Sequence, residues 1–322
     1  MQKSMAIVLT GLLWSGTILR SAAADETVRI AVPDSRAWDT AYTELGAQQG
    51  IFKEEGLDLQ IVHVANEAAL VKALASGDAD IAVAADFPHV IGAWMNGAPI
   101  KVISPEATGA PDMFWYAKMG NPVASIRDLH GLPIGVSRPG TLSHFVLHAL
   151  LRDAGVADAS LVPIGLADDG YQRVLDAELA ASWSAPPTLV EYLIAGEIRL
   201  IARGDDARSV RYQTVRVNTA RADFLADHRS ATLGFLRAYK KSVAWAFSGP
   251  AAVDAYARLT DQRLEVARYI VNEFTSSAAS QVDEIKGEDA MLSEALAANL
   301  ISRPLTHEDI KEMYDLVLKE GS

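Results

Sequence analysis

Cysteine does not occur in the 322 residues. Its absence excludes disulfides, thiolate metal centres and lipid attachment through a thiol, and leaves the apolar core alone to hold the fold. Basic residues are outnumbered, 29 Lys and Arg against 41 Asp and Glu, for a formal net charge of −12. A nucleic-acid partner needs a basic footprint, so that class of function is excluded; self-repulsion suits a secreted chain that stays monomeric. No phosphate-binding loop, nucleophile elbow or zinc-protease helix is present, so neither catalysis nor a cofactor is expected. The acidic pairs Glu54-Glu55, Asp168-Asp169 and Asp205-Asp206 read as solvated turns or faces. His144 and His148 are spaced i, i+4 but trace to the polar side of their helix without a third ligand, so no metal site is expected. Past the first 24 residues no stretch approaches 18 uninterrupted apolar residues, which argues against a later membrane span.

Those first 24 residues read as a separate message. Lys3 supplies a short positive region, Met5 to Leu19 an apolar run, and Ala22-Ala23-Ala24 the small residues of a cleavage site. That is the pattern of a secretory signal, with the mature chain expected to begin near Asp25.

What remains has the length of two lobes of roughly 100–150 residues each. Thr27–Pro33 reads as a strand, Asp39–Gln49 as a helix ending at Gly50, and Leu57–Val64 as an alternating strand. Glu67–Ser76 is a helix stopped by Gly77, Ile81–Ala85 a buried strand, Phe87–Asn96 a helix stopped by Gly97, and Ile100–Ile103 a further strand. This β-α-β-α order is the signature of a mainly parallel sheet with helices on both faces, so the fold class is α/β. A second set follows, with strands at Met113–Met119, Leu132–Val136, Leu161–Ile164, Ala180–Trp183 and Ile198–Ala202. Helices fall at Thr141–Ala154, Tyr171–Glu178 and Thr188–Ala195, a strand at Gln213–Val217, and helical pieces from Ser230 onward. Pro105–Pro111 and Arg203–Ser209 look like loops where one sheet hands over to the other. Two crossings make the first lobe discontinuous, 25–107 with 211–322, around a second lobe at 108–210.

Within this frame particular segments resemble a family. Ala47-Gln-Gln-Gly50-Ile-Phe52-Lys-Glu-Glu-Gly56-Leu-Asp-Leu is similar to the "kGxFxxeGL" segment of the nitrate/sulfonate/taurine/thiamine-precursor solute-binding proteins of ABC importers. Leu74-Ala-Ser-Gly77-Asp-Ala-Asp80-Ile81 resembles their "LxxGxxDI", and Ser125-Ile-Arg-Asp128-Leu129-His-Gly131 their "sxxDLkG". Gly140-Thr141 with His144, Leu147, Leu150 and Leu151 resembles the helix that follows. The stretch before Pro186-Pro187 departs from the family's "GxVDA", with Ala where Gly and Asp are usual. The resemblance implies a two-lobed type II periplasmic-binding fold with a small-molecule ligand in the cleft between lobes, a membrane permease as partner, and a periplasmic location. Enzymes on the same fold, of the menaquinone-pathway dehydratase or thiamine-precursor synthase kind, and sensory binding proteins remain alternatives. The ligand class is left open among nitrate, sulfonates, aromatic acids and pyrimidines.

Ligands of open α/β sheets sit beyond the carboxyl ends of the strands, and three such loops are readable. The first carries Ser35, Arg36 and Trp38, with Asp39 as a candidate helix cap; the second carries Ala85, Asp86 and Phe87. The third, Ser137-Arg138-Pro139-Gly140-Thr141, leads into a long helix whose free N–H groups and dipole favour an anion. Trp183, near the end of a strand, is the candidate aromatic wall. The expected ligand carries an anionic or strongly polar group held at Arg138, Thr141 and the helix end, with Arg36 facing it across the cleft.

Overall fold

The computed structural model describes residues 25–33, 36–297, 299 and 301–320. The signal-like segment at 1–24 and Ser35 lie outside the described residues.

Among the described residues ten strands follow in chain order: β1 (Glu26–Pro33), β2 (Leu57–Val64), β3 (Ile81–Asp86), β4 (Ile100–Thr108) and β5 (Phe114–Lys118). Then come β6 (Pro133–Val136), β7 (Ser160–Pro163), β8 (Ser182–Ser184), β9 (Ile198–Arg203) and β10 (Thr214–Arg221). The first sheet has the order β2-β1-β3-β10-β4. β1 runs parallel to β2 and β3, while β10 runs antiparallel to both of its neighbours. The second lobe holds the three strands β8-β5-β9 and the pair β6-β7. A parallel bridge between Ile134 and Ala181, with Gly135 N–H donating to the Ala181 carbonyl at 2.9 Å, brings the pair alongside β8. β5 is antiparallel to β8 and β9. Each lobe is thus a mainly parallel sheet with one reversed strand. The reversed strands are the two that carry the chain across, β5 going out and β10 coming back.

One loop expectation is corrected here. Pro105–Thr108 is not loop but the end of β4, paired with β10 at Val217↔Pro105 and Arg216↔Ala107. Proline lacks the N–H that a regular ladder needs, and the pairing accommodates it through register shifts on both sides. The returning strand likewise runs on past Val217 to Arg221.

Helices cover both faces. Tyr42–Gln48 lies on the 18-residue helix Arg229–Ala246 so closely that a Cβ at Gly46 would stand 1.8 Å from Ser242 Oγ. Phe52 stacks on Phe235 in the same layer, ring centres 5.5 Å apart. The C-terminal helices reach both sheets: Phe274, closing helix Leu264–Phe274, packs on Phe114 of β5 at 5.2 Å. Among the described residues no helix is long and apolar enough to cross a membrane.

Register in the first sheet is pinned by one carboxylate. Asp80, only 3% exposed, precedes β3 and accepts from the Arg29 backbone N–H (2.9 Å), Nε (3.0 Å) and Nη2 (2.6 Å). Arg221 Nη1 on β10 adds a fourth contact at 3.4 Å, and Arg29 Nη1 also donates to the Gly77 carbonyl. Removing one partner of such a buried group leaves the others without their charge, which costs more than the intact pair contributes. Asp80→Ala is therefore expected to lose about 2–4 kcal/mol of unfolding free energy, measured as a lower urea midpoint; a loss under 1 kcal/mol would refute the register role.

Candidate ligand-binding cleft

The carboxyl ends of β1, β2 and β3 in one lobe face those of β6, β7 and β8 in the other, across a cleft of about 610 Å³. Because β10 is reversed, its beginning, not its end, opens on this space, and that places Arg216 there. Arg216 binds Asp112 two-pronged, Nη2 to Oδ2 at 2.7 Å and Nη1 to Oδ1 at 3.2 Å, and Nη1 also lies 3.2 Å from Asp39 Oδ2. Burial works against its charge, but Asp112 and Asp39 hold the guanidinium well above its ordinary pKa. Burial likewise pushes Asp39 up, with Arg216 opposing.

Asp86 ends β3 and is 9% exposed. Its backbone N–H donates to Glu67 Oε2 at 3.0 Å, and its own Oδ2 accepts from Leu142 N–H at 3.2 Å. Leu142 opens the 13-residue helix Leu142–Ala154 of the other lobe. The free amides of a helix end attract negative charge, and here the chain's own carboxylate supplies it from across the cleft. The loop before the helix is equally committed. Thr141 Oγ1 donates to the Arg138 carbonyl at 2.7 Å and lies 3.2 Å from Ser143 Oγ, which accepts from Ser137 N–H at 3.1 Å. Burial also moves Glu67 well above the ordinary carboxylate range, helped by the charge of Asp86.

Of the residues singled out in the sequence, Asp86, Ser137, Arg138, Thr141 and Trp183 stand together on this cleft. Asp39 lines it too, whereas Trp38, Arg36, Phe87, Ala85 and Gly140 are placed otherwise. Trp38 is buried in an aromatic cluster, edge-on to Tyr256 at 5.0 Å and Phe247 at 5.7 Å. Arg36 is exposed beside a separate small pocket with Glu44 and His63, where its carbonyl accepts from the Tyr256 hydroxyl at 2.8 Å. Phe87 is fully buried and packs near Tyr314, 6.2 Å between rings. Strand alternation turns Ala85 into the core, and its neighbour Ala84 lines the cleft instead. Gly140, at φ 88°, shapes the turn that only glycine adopts freely and presents no side chain. Asp39 caps no helix: it accepts from Thr40 N–H, the helix starting only at Tyr42. Arg216, Asp112 and Glu67 went unnoticed in the sequence. Arg216 sits between Val215 and Val217 and reads as an ordinary solvent-facing strand residue; Glu67 reads as an ordinary first-turn acid.

The profile of the family described as "NMT1/THI5 like" matches residues 41–253. Compared by sequence with the curated proteins, the chain matches none. Among solved structures it is similar to the periplasmic aliphatic sulphonate binding protein SsuA from Escherichia coli, at 17% identity and a TM-score of 0.75, covering 90% of this chain and 92% of that one. The periplasmic nitrate-binding protein NrtA from Synechocystis PCC 6803 is similar at 12% identity and a TM-score of 0.69, with 91% and 87% covered. The desulfurization enzyme DSZB is similar too, at 14% identity and 0.65, with 92% and 100% covered. At these identities the likeness shows the two-lobed α/β fold, and one of the three is an enzyme.

Burial, opposed by Arg216 and by the Leu142 N–H, pushes the Asp86 carboxyl up to about 6, against an unfolded value of ~3.9. The folded chain therefore holds this proton more tightly, and stability is lost as pH rises from the unfolded value through about 6. Asp86→Asn keeps an oxygen for Leu142 and removes the cost. The variant should match wild type near pH 4 and exceed it by roughly 1–3 kcal/mol at pH 8, read from denaturant midpoints at the two pH values. An equal difference at both would show that Asp86 does not titrate in this way.

Proposed function

The chain belongs to the NMT1/THI5-like family, and from that premise we propose that it is the solute-capturing component of an ABC importer, working in the periplasm beside a membrane permease. The carrying observation is the cleft itself, about 610 Å³ at the carboxyl ends of the strands of two lobes, with polar groups from both walls. That volume suits a small solute. The sulphonate- and nitrate-binding roles in the names of two similar structures support the same reading, as does the signal-like run at 1–24.

The mechanism is capture by closure. The lobes, taken as 25–108 with 211–322 and 109–210 once β4 is seen to end at Thr108, are joined through the segments leading into β5 and out of β9. A solute that touches both walls favours the closed arrangement by the free energy of those two-sided contacts, and a permease then reads the closed form. The Asp86–Leu142 contact supports this, since it shows the walls within hydrogen-bonding reach. An enzyme of this fold needs an activated group against the substrate. No histidine is among the described lining residues, and the Thr141 and Ser143 hydroxyls are bound to their own loop. That favours binding over turnover.

A solute that raises the thermal midpoint of the mature chain is expected to lower its radius of gyration in small-angle scattering and to be recovered chemically intact. An unchanged radius would sink closure, and a converted solute would sink the transport reading.

A further inference from the structure

We propose that the solute taken by this cleft is an organic cation, a small molecule with an apolar or aromatic body and a protonated amine, amidine or guanidine head set against Glu67 and Asp86. This rests on the solute-capture reading above and names its chemical class.

Among the described residues the inner cleft holds four carboxylates, Asp39, Glu67, Asp86 and Asp112, and one guanidinium, Arg216. Arg216 is committed to Asp112 at 2.7 Å and to Asp39 at 3.2 Å. Glu67 and Asp86 are left with no cation at ion-pair distance among the described residues. Their partners are amides only: Glu67 Oε2 takes the Asp86 N–H, and Asp86 Oδ2 takes the Leu142 N–H. Asp86 is nine-tenths buried, and its other oxygen, Oδ1, has no hydrogen-bond partner among the described residues while the residue lines the cleft. A carboxylate withdrawn from water on a cleft wall, with one oxygen lacking a protein donor, calls for a donor, and a second carboxylate beside it calls for a charged one.

An anion meets the opposite situation. The first amide of the helix, Leu142 N–H, is already taken by Asp86, and the Thr141 and Ser143 hydroxyls are turned into their loop. The other described lining cation, Arg138, is exposed at the rim on the wall that also carries Asp168 and Asp169. A bare metal ion is disfavoured as well: no group of three or more His, Cys, Asp or Glu among the described residues is placed to hold one. Trp183 offers the aromatic wall on which an organic cation's body and charge both gain. This proposal departs from the expectation of an anionic ligand at Arg138 and Thr141.

The test uses probes matched in shape and differing in charge: benzylamine and benzamidine, benzyl alcohol, and benzoate with benzenesulfonate. Binding to the mature chain is read at pH 7.5 by saturation-transfer NMR and by tryptophan fluorescence. The cations are expected to bind at least ten-fold more tightly than the anions. Glu67→Gln and Asp86→Asn should each weaken the cations ten-fold or more, while Asp289→Asn, on an outer helix, should leave them unchanged. Lack of a cation preference across the matched set overturns the proposal, as does undiminished cation binding by a folded Glu67→Gln protein. If a neutral or anionic solute still compacts the protein, solute capture stands and only the charge class falls.

Discussion

Arg216 gathers three distant parts of the chain around one charge. Asp39 comes from the loop after β1, Asp112 from the outward crossing, and Arg216 itself from the strand that returns. Taking these charges out of water is expensive, and a paired cluster of this kind generally adds little net stability. Its value is geometric. The two-pronged grip on Asp112 fixes where the chain leaves the first sheet relative to where it re-enters, and so fixes the floor from which the two walls rise. Everything else in the cleft is arranged on that floor: Asp86 can meet the helix of the other lobe only if the crossing segments hold their spacing.

The same cluster explains why the remaining acids are strained electrostatically. Arg216 is shared by two carboxylates, so the carboxylates farther along the wall must rely on backbone amides. Glu106, 1% exposed, has no close hydrogen-bond partner on either oxygen among the described residues, and burial drives it well above the ordinary carboxylate range, opposed only in part by Arg216 and the Tyr239 hydroxyl. A site that gathers more acids than bases out of water raises the free energy of the folded chain.

Much of the fold was legible because its signals are local. Gly77 ends a helix in a left-handed conformation, Ile81–Ala85 is an unbroken apolar run, and both appear where periodicity put them. The misread element, Pro105–Thr108, failed for a local reason as well: proline usually breaks strands, and only the partner strand β10 reveals how its missing N–H is tolerated. The site was half legible. Position beyond a strand end brought Asp86, Ser137, Arg138, Thr141 and Trp183 to attention. Which side chain of a loop turns inward is a tertiary matter, so Trp38 and Phe87 went to the core. Arg216 depends on the reversal of one strand, a fact of topology that no window of sequence around it contains.

The hydrogen bond from Leu142 to Asp86 has a consequence for selectivity in a crowded medium. Tethered to the same chain, the Asp86 carboxylate acts as a built-in competitor for the helix end, at an effective concentration on the order of millimolar or higher. An inorganic oxyanion would have to displace it to take the Leu142 amide. The chain thus supplies its own negative charge to the Leu142 amide, a form of competition that needs no clash built against an incoming ion.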